Sequence, residues 1–219
     1  MRSRRLVAVA VAVAVPLATL MVTAAPAAAK KVVATGTVTC HVAQTFNFNP
    51  PLNGLPSGNA GYSIDVVTIS APQFSQCTGS PMPASALPTS GTGTKPLLVK
   101  LKRIIKIGGI SYSGSCAQFL NSSWAGKLKP HFNWSALPVT LKGTKVLNMS
   151  VGGVQSNGEW GLIFNGLTKG SFVGHVSLSD YFDATSTAEL DACNNNMGTV
   201  STLTTDPATS TITVGVVGP

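Results

Sequence analysis

Carboxylates are scarce in this chain, with seven Asp and Glu against fifteen Lys and Arg in 219 residues. None falls between Asp65 and Glu159, and no Lys or Arg follows Lys169. Charged side chains make up only 10% of the sequence, yet the abundance of apolar β-formers argues against disorder. Motifs that carry chemistry are missing as well. There is no C-x-x-C pair, and His41, one residue from Cys40, does not supply the ligand spacing of a zinc site, so no metal is expected. No G-x-S-x-G elbow occurs, because Gly109-Ile110-Ser111-Tyr112-Ser113 fails at its last position. Asp180, Asp183, Glu189 and Asp191 lie close along the chain but lack the D-x-D-x-D-G spacing of a calcium loop, and they read as a solvated loop with helix capping. Nothing in the sequence calls for a cofactor.

What is present begins with an export signal. Arg2, Arg4 and Arg5 precede an apolar run from Leu6 to about Leu20, which closes on Ala25-Pro26-Ala27-Ala28-Ala29. Small residues at Ala27 and Ala29 meet the A-x-A requirement of signal peptidase, so cleavage is expected after Ala29 and a secreted or envelope-located chain from Lys30. Retention of residues 6–29 as a membrane anchor is the rival reading, since the run is long enough to cross a bilayer. Without the three signal arginines, twelve basic side chains face seven acidic ones, a net +5 over 190 residues. A chain of that length buries about 70% of its unfolded surface and is expected to form one domain over residues 30–219.

Short alternating runs separated by Gly, Pro, Asn and Ser clusters predict an all-β fold, an antiparallel β-sandwich or flattened barrel of about nine or ten strands. In the first run Val38, Cys40 and Val42 face one way and Thr37, Thr39 and His41 the other. Further strands are expected over Tyr62 to Ser70, Leu97 to Ile107, Leu128 to Trp134, Val146 to Val151, Trp160 to Phe164, Phe172 to Leu178, Thr199 to Thr204 and Ile212 to Val216. Two short helices are expected, Ala117 to Ser122 and Ser186 to Ala192, the second with a capping box of Ser186 and Glu189. Residues 78–96, rich in Pro, Gly, Ser and Thr, read as a long loop.

Four cysteines in an exported chain imply two disulfides with three arithmetical connectivities. Cys40 and Cys77 flank neighbouring strands, and Cys116 and Cys193 both neighbour the short helices, which favours Cys40 with Cys77 and Cys116 with Cys193.

The arrangement Cys40, Phe46-Asn47-Phe48-Asn49-Pro50-Pro51-Leu52 and Gln76-Cys77-Thr78-Gly79 resembles the N-terminal half of uncharacterised secreted proteins of high-GC actinobacteria. Gly170-Ser171-Phe172-Val173-Gly174, the Cys193 segment and the closing Thr213-Val214-Gly215 resemble their C-terminal half. The resemblance implies a secreted all-β domain and supports the same cysteine pairing. It implies no activity and no site residues.

Two functional readings follow from the residues themselves. His41, His131 and His175 each fall at a strand position expected to face solvent, so a secreted hydrolase using His131 or His175 is one, and a trio such as Ser177, His175 and Asp180 is its simplest form. The other is non-enzymatic binding of an envelope component or extracellular partner. Its carrier is the densest basic segment, where Lys100, Lys102 and Lys106, with Arg103, alternate with Val99, Leu101, Ile105 and Ile107 to give a strand with a cationic ridge. A helical stripe of Leu97, Leu101, Ile104 and Ile105 is the rival there, and lysines that merely keep an edge strand unpaired are the plain alternative. If the ridge binds, anionic wall polymers or anionic lipid head groups are its targets, with salt-sensitive affinity. No nucleic acid is expected as a partner. Alternating strands also build pores, a third reading, but many of these strands put Thr, Ser and Asn outward, where a pore needs apolar residues.

Overall fold

The computed structural model describes residues 30–54, 65–101, 105–107, 110–112, 128–195 and 197–216, together with Cys116 and Phe119. In chain order the strands are β1 (Thr35–Ala43), β2 (Thr45–Asn53), β3 (Asp65–Ile69), β4 (Gln73–Met82), β5 (Ser90–Gly93), β6 (Leu97–Leu101), β7 (Ile105–Ile107) and β8 (Ile110–Tyr112). They continue with β9 (His131–Ala136), β10 (Val139–Thr140), β11 (Thr144–Ser156), β12 (Glu159–Gly170) and β13 (Gly174–Tyr181). Helix α1 (Ala184–Asn194), β14 (Thr199–Thr204) and β15 (Thr211–Val216) complete the fold.

Eight strands form a closed antiparallel barrel in the order β9-β11-β12-β13-β15-β1-β4-β5, with β5 returning to β9 and β10 appended to β9. The period-2 pattern that marks these strands in the sequence is the one the barrel uses. Val38, Cys40 and Val42 of β1 are buried while Thr37, Thr39 and His41 are less so, and Thr39 shares a hydroxyl hydrogen bond of 2.9 Å with Thr213 on β15. Inside, Phe74 stacks on Trp134 at 5.3 Å and meets Phe132 edge-on at 5.1 Å, and Phe172 meets Trp134 edge-on at 5.6 Å. Phe164, Leu162, Val176, Ile212 and Val214 are also fully or almost fully buried. The inner faces of the strands therefore supply an apolar core, and a transmembrane pore has the opposite arrangement of polar interior and apolar exterior.

The turns follow from local chemistry. Asn157 (φ 53°) and Gly158 (φ 83°) join β11 to β12, because a two-residue hairpin whose twist matches its strands needs positive φ at both central residues. Antiparallel neighbours place every connection at one of two ends. At the N-terminal end lie the segment entering β1, the β4–β5 connection, the β9–β10–β11 hairpins and the β12–β13 turn. At the other end β1 runs into β2 and β3 into β4, so the small sheet β14-β2-β3-β6 grows from that end, with α1 beside it. Phe46 packs edge-on against Phe182 at 5.4 Å, and Phe48 against Phe119 at 5.0 Å, joining small sheet, barrel exit and the Cys116–Phe119 segment in one core.

The structure corrects several sequence expectations. Of the strand expected over Leu97 to Ile107, residues 102–104 lie outside the described residues, β6 pairs with β3, and β7 pairs with β8 in a separate two-stranded ribbon. Residues 78–96 are not a loop throughout, since β4 runs to Met82, a 3-10 turn spans Ala84–Ala86, and β5 closes the barrel. Gly91 permits that closure, because a Cβ there would lie 2.8 Å from the Trp134 ring. Asp183, not Ser186, caps α1, its carboxylate accepting from the Ser186 N–H at 2.7 Å. The Ser186 hydroxyl is turned inward instead and accepts from the Thr204 N–H at 2.9 Å. Strand β2 runs through Pro50-Pro51, a sequence that argues against a strand because proline has no N–H. It is accommodated where the β2–β14 register shifts, between Asn47 opposite Thr202 and Leu52 opposite Val200. The helix expected over 117–122 lies outside the described residues except for Phe119, which is helical, as is Cys116.

Candidate functional site

The groove on the barrel wall is built from segments distant in sequence. Strands β9 and β11 pair through only two residues each, Phe132 with Thr144 and His131 with Lys145. On the far side of β11, Lys145 stands opposite Lys169 of β12. Phe132, Thr144, Val146 and Thr168 point into the barrel and are buried, so the alternating residues His131, Lys145 and Lys169 form a row across three strands on the outer face. The Thr94 N–H donates to the His131 carbonyl at 2.8 Å and the Val146 N–H to the Pro130 carbonyl at 2.9 Å, which brings Lys95 and Lys129 to the same place.

The resulting groove, about 590 Å³, is lined by Lys95, Lys129, His131, Lys145 and Lys169 with Thr94, Val146 and Leu147, and among the described residues by no carboxylate. All four lysines are exposed and His131 is half-buried. Its imidazole is held below the ordinary histidine range, first by burial and then by the nearby charges of Lys145 and Lys31. Gly143 helps bury it, since a Cβ there would meet the ring Nε2 at 2.4 Å. Directly opposed cross-strand side chains have Cβ atoms about 5 Å apart, and like charges in that position destabilise a sheet. The opposed ammonium groups of Lys145 and Lys169, with no counter-charge beside them, therefore cost stability in the free protein and suit an anionic ligand, with the largely neutral His131 imidazole next to them.

The other sequence candidates are scattered. Cys40 is joined to Cys77 and Cys116 to Cys193, with Cα separations of 4.0 and 6.0 Å. The first bond crosses from β1 to β4 where their register shifts, and the second ties α1 to the Cys116 segment. Lys100 lies on β6, which pairs with β3 and ends the small sheet among the described residues, and Lys106 lies on β7. Lys102 and Arg103 of the expected cationic ridge lie outside the described residues. His41 Nδ1 is 2.6 Å from the Pro207 carbonyl, and His175 is exposed on β13. The trio of Ser177, His175 and Asp180 is not assembled, because the pleat puts His175 and Ser177 on the outer face and Asp180 on the inner one. Asp191 accepts from the Trp160 indole N–H at 2.6 Å, and Asp183 caps the helix. Among the described residues no group of three His, Cys, Asp or Glu is placed to hold a metal ion.

The sequence places Asp180 in a solvated acidic loop, whereas the structure buries it. It is fully buried, accepts a hydrogen bond from the Gln44 side-chain amide, and leaves Oδ1 without a partner. Gln44 is itself locked, its N–H donating to Thr205 Oγ1 at 2.9 Å and its carbonyl accepting from the Thr205 N–H at 3.1 Å. Burial raises the Asp180 pKa well above the carboxylate range, opposed by the Gln44 hydrogen bond.

No protein-family model, curated protein or solved structure matches this chain. Among the described residues, no helix is long and apolar enough to cross a membrane.

Proposed function

We propose that this chain is an exported, non-enzymatic binding module that holds an anionic polymer of the cell envelope in the lysine-lined groove. The observation that carries the reading is the row His131–Lys145–Lys169, flanked by Lys95 and Lys129 and free of carboxylates. Export is supported by the basic, apolar and small-residue succession of residues 2–29 and by two disulfides, which persist in oxidising compartments. The hydrolase reading has less behind it, because no carboxylate lines the groove to orient His131 and the His175 trio is split across the sheet. A pore is disfavoured by the apolar core inside the barrel.

Retention on purified envelope at low and high ionic strength tests the reading. The native protein is expected to bind at low salt and to be released at high salt, since exposed charges are screened within about 10 Å at 0.1 M. Exposed charge pairs contribute about 0.5 kcal/mol each, so loss of three in the variant Lys95→Gln/Lys145→Gln/Lys169→Gln is expected to cost about 1.5 kcal/mol and weaken binding roughly tenfold. A Lys100→Gln/Lys102→Gln/Lys106→Gln variant is expected to bind like the native protein. Loss in the second variant and not the first would transfer the function to residues 100–106.

A further inference from the structure

We propose that the N-terminal end of the barrel seats on an anionic lipid surface, with Val33, Met82, Leu137 and Val173 entering the headgroup layer and Lys30, Lys31 and Lys142 contacting the lipid anions. This proposal uses residues that do not line the groove, although Lys31 stands close enough to His131 for its charge to act on that ring. Six large apolar side chains stand well exposed among the described residues, and four of them lie at this one end: Leu137 at 85%, Met82 at 71%, Val173 at 58% and Val33 at 48%.

The entering segment organises them. Thr35 pairs with Met82, the Phe172 N–H donates to the Ala34 carbonyl at 2.7 Å, and the Val32 N–H donates to the Thr140 carbonyl at 2.8 Å. Val33, Met82 and Val173 are therefore each within a residue or two of the same backbone crossing, and Leu137 tops the adjoining β9–β10 hairpin. The cations are held in the same place, since Lys30 and Lys31 precede Val32 and the Lys142 N–H donates to the Val32 carbonyl at 2.8 Å. All three lysines are exposed. Apolar tips flanked by lysines are the combination by which a folded protein adsorbs to anionic membrane, the apolar side chains entering the interface and the ammonium groups meeting the headgroups.

Charge is also segregated along the barrel. Residues 30–36, 83–89, 137–143 and 171–173, which make the connections at this end, contain no Asp or Glu. Glu159, Asp183, Glu189, Asp191 and Asp206 fall at the opposite end, on or beside the strand ends that lead toward the small sheet and α1. Such a distribution turns the apolar, basic end toward a negative surface before contact is made. It also disfavours a second copy as the occupant, because a two-fold pairing of this end brings Lys30, Lys31 and Lys142 of both copies together.

The test is co-sedimentation of the exported protein with vesicles of phosphatidylcholine alone or with one-third phosphatidylglycerol, at low and high salt. Native protein is expected on the anionic vesicles and in the supernatant with the neutral ones. The variants Met82→Ser/Leu137→Ser/Val173→Ser and Lys30→Gln/Lys31→Gln/Lys142→Gln alter only exposed side chains, and each is expected to weaken sedimentation at least tenfold. Light scattering is expected to show no change in molecular mass for either. The proposal is overturned if the native protein ignores anionic vesicles, if the serine variant binds as well as native, or if that variant loses self-association instead. Envelope retention through the groove, measured with the Lys95/Lys145/Lys169 variant, stands or falls separately.

Discussion

At Asp180 a single side chain sets a pH dependence that the rest of the barrel does not require. Its carboxyl lies among inward-facing residues of β13 with one oxygen unpartnered, and burial raises its pKa well above the carboxylate range. Between the unfolded value of 3.8 and the raised folded value, the unfolded chain releases its proton while the folded one keeps it. Stability therefore falls with rising pH across that window, by up to about 1.4 kcal/mol per pH unit, and levels off above it. Asp180→Asn keeps the shape and the acceptor for Gln44 without the charge. Urea unfolding from pH 4 to 8 is expected to show the variant more stable than native at neutral pH, with the gap closing toward pH 4. An identical slope in both proteins would show that the carboxyl does not control it.

Strands β1 and β4 show how an element depends on residues that hold no side chain. Gly79 has φ 145° and stands opposite Val38, where an added Cβ would lie 2.2 Å from the Thr37 carbonyl oxygen. Backbone on both sides of the contact cannot move without breaking the ladder that carries the Cys40–Cys77 bond. Gly79→Ala is thus expected to cost about 2 kcal/mol or more, from positive φ and the close backbone approach together. Gly152 lies in the middle of β11 with open space around its Cα, so Gly152→Ala is expected to change stability by no more than about 0.5 kcal/mol. Equal thermal shifts for the two variants would remove the role of the close approach at Gly79.

Across the whole molecule, the closed ring removes the free edges that an open sheet of this size exposes. The disulfides are expected to reinforce a core that a chain of this length can build without them. Their loops of 37 and 77 residues each constrain the unfolded chain by about 4 kcal/mol in the chain-entropy model. Reduction is accordingly expected to lower the urea midpoint strongly while the far-ultraviolet circular dichroism at 25 °C keeps its β signature. The Cys116→Ala/Cys193→Ala variant is expected to lose about 2 to 5 kcal/mol, because it frees the Phe119 segment from α1 and from the Phe46–Phe182 contact. A reduced chain with no residual β signal would mean that the core alone does not hold the barrel.

The amino-acid sequence by itself determined the features that are local. Alternation at Val38, Cys40 and Val42 or at Val176 and Leu178 is a property of neighbouring residues, so the inward faces of these strands and the all-β class were legible. Cysteine parity and their placement beside short elements were legible for the same reason. Strand β5 was not, since Ser90-Gly91-Thr92-Gly93 carries no apolar period and becomes a strand only because β4 and β9 hold it from both sides. Nor was the groove. Lys95, Lys129, Lys145 and Lys169 were visible as isolated cations, but only the register of β9 on β11 and β11 on β12 places them with His131. Asp180 shared a charge cluster with Asp183 and Asp191 in sequence, and the pleat alone sends it inward while its neighbours stay out. Periodicity says which residues share a face. Which strands become neighbours, and at what offset, depends on burying the aromatic core across the ring, and tertiary structure alone decides that.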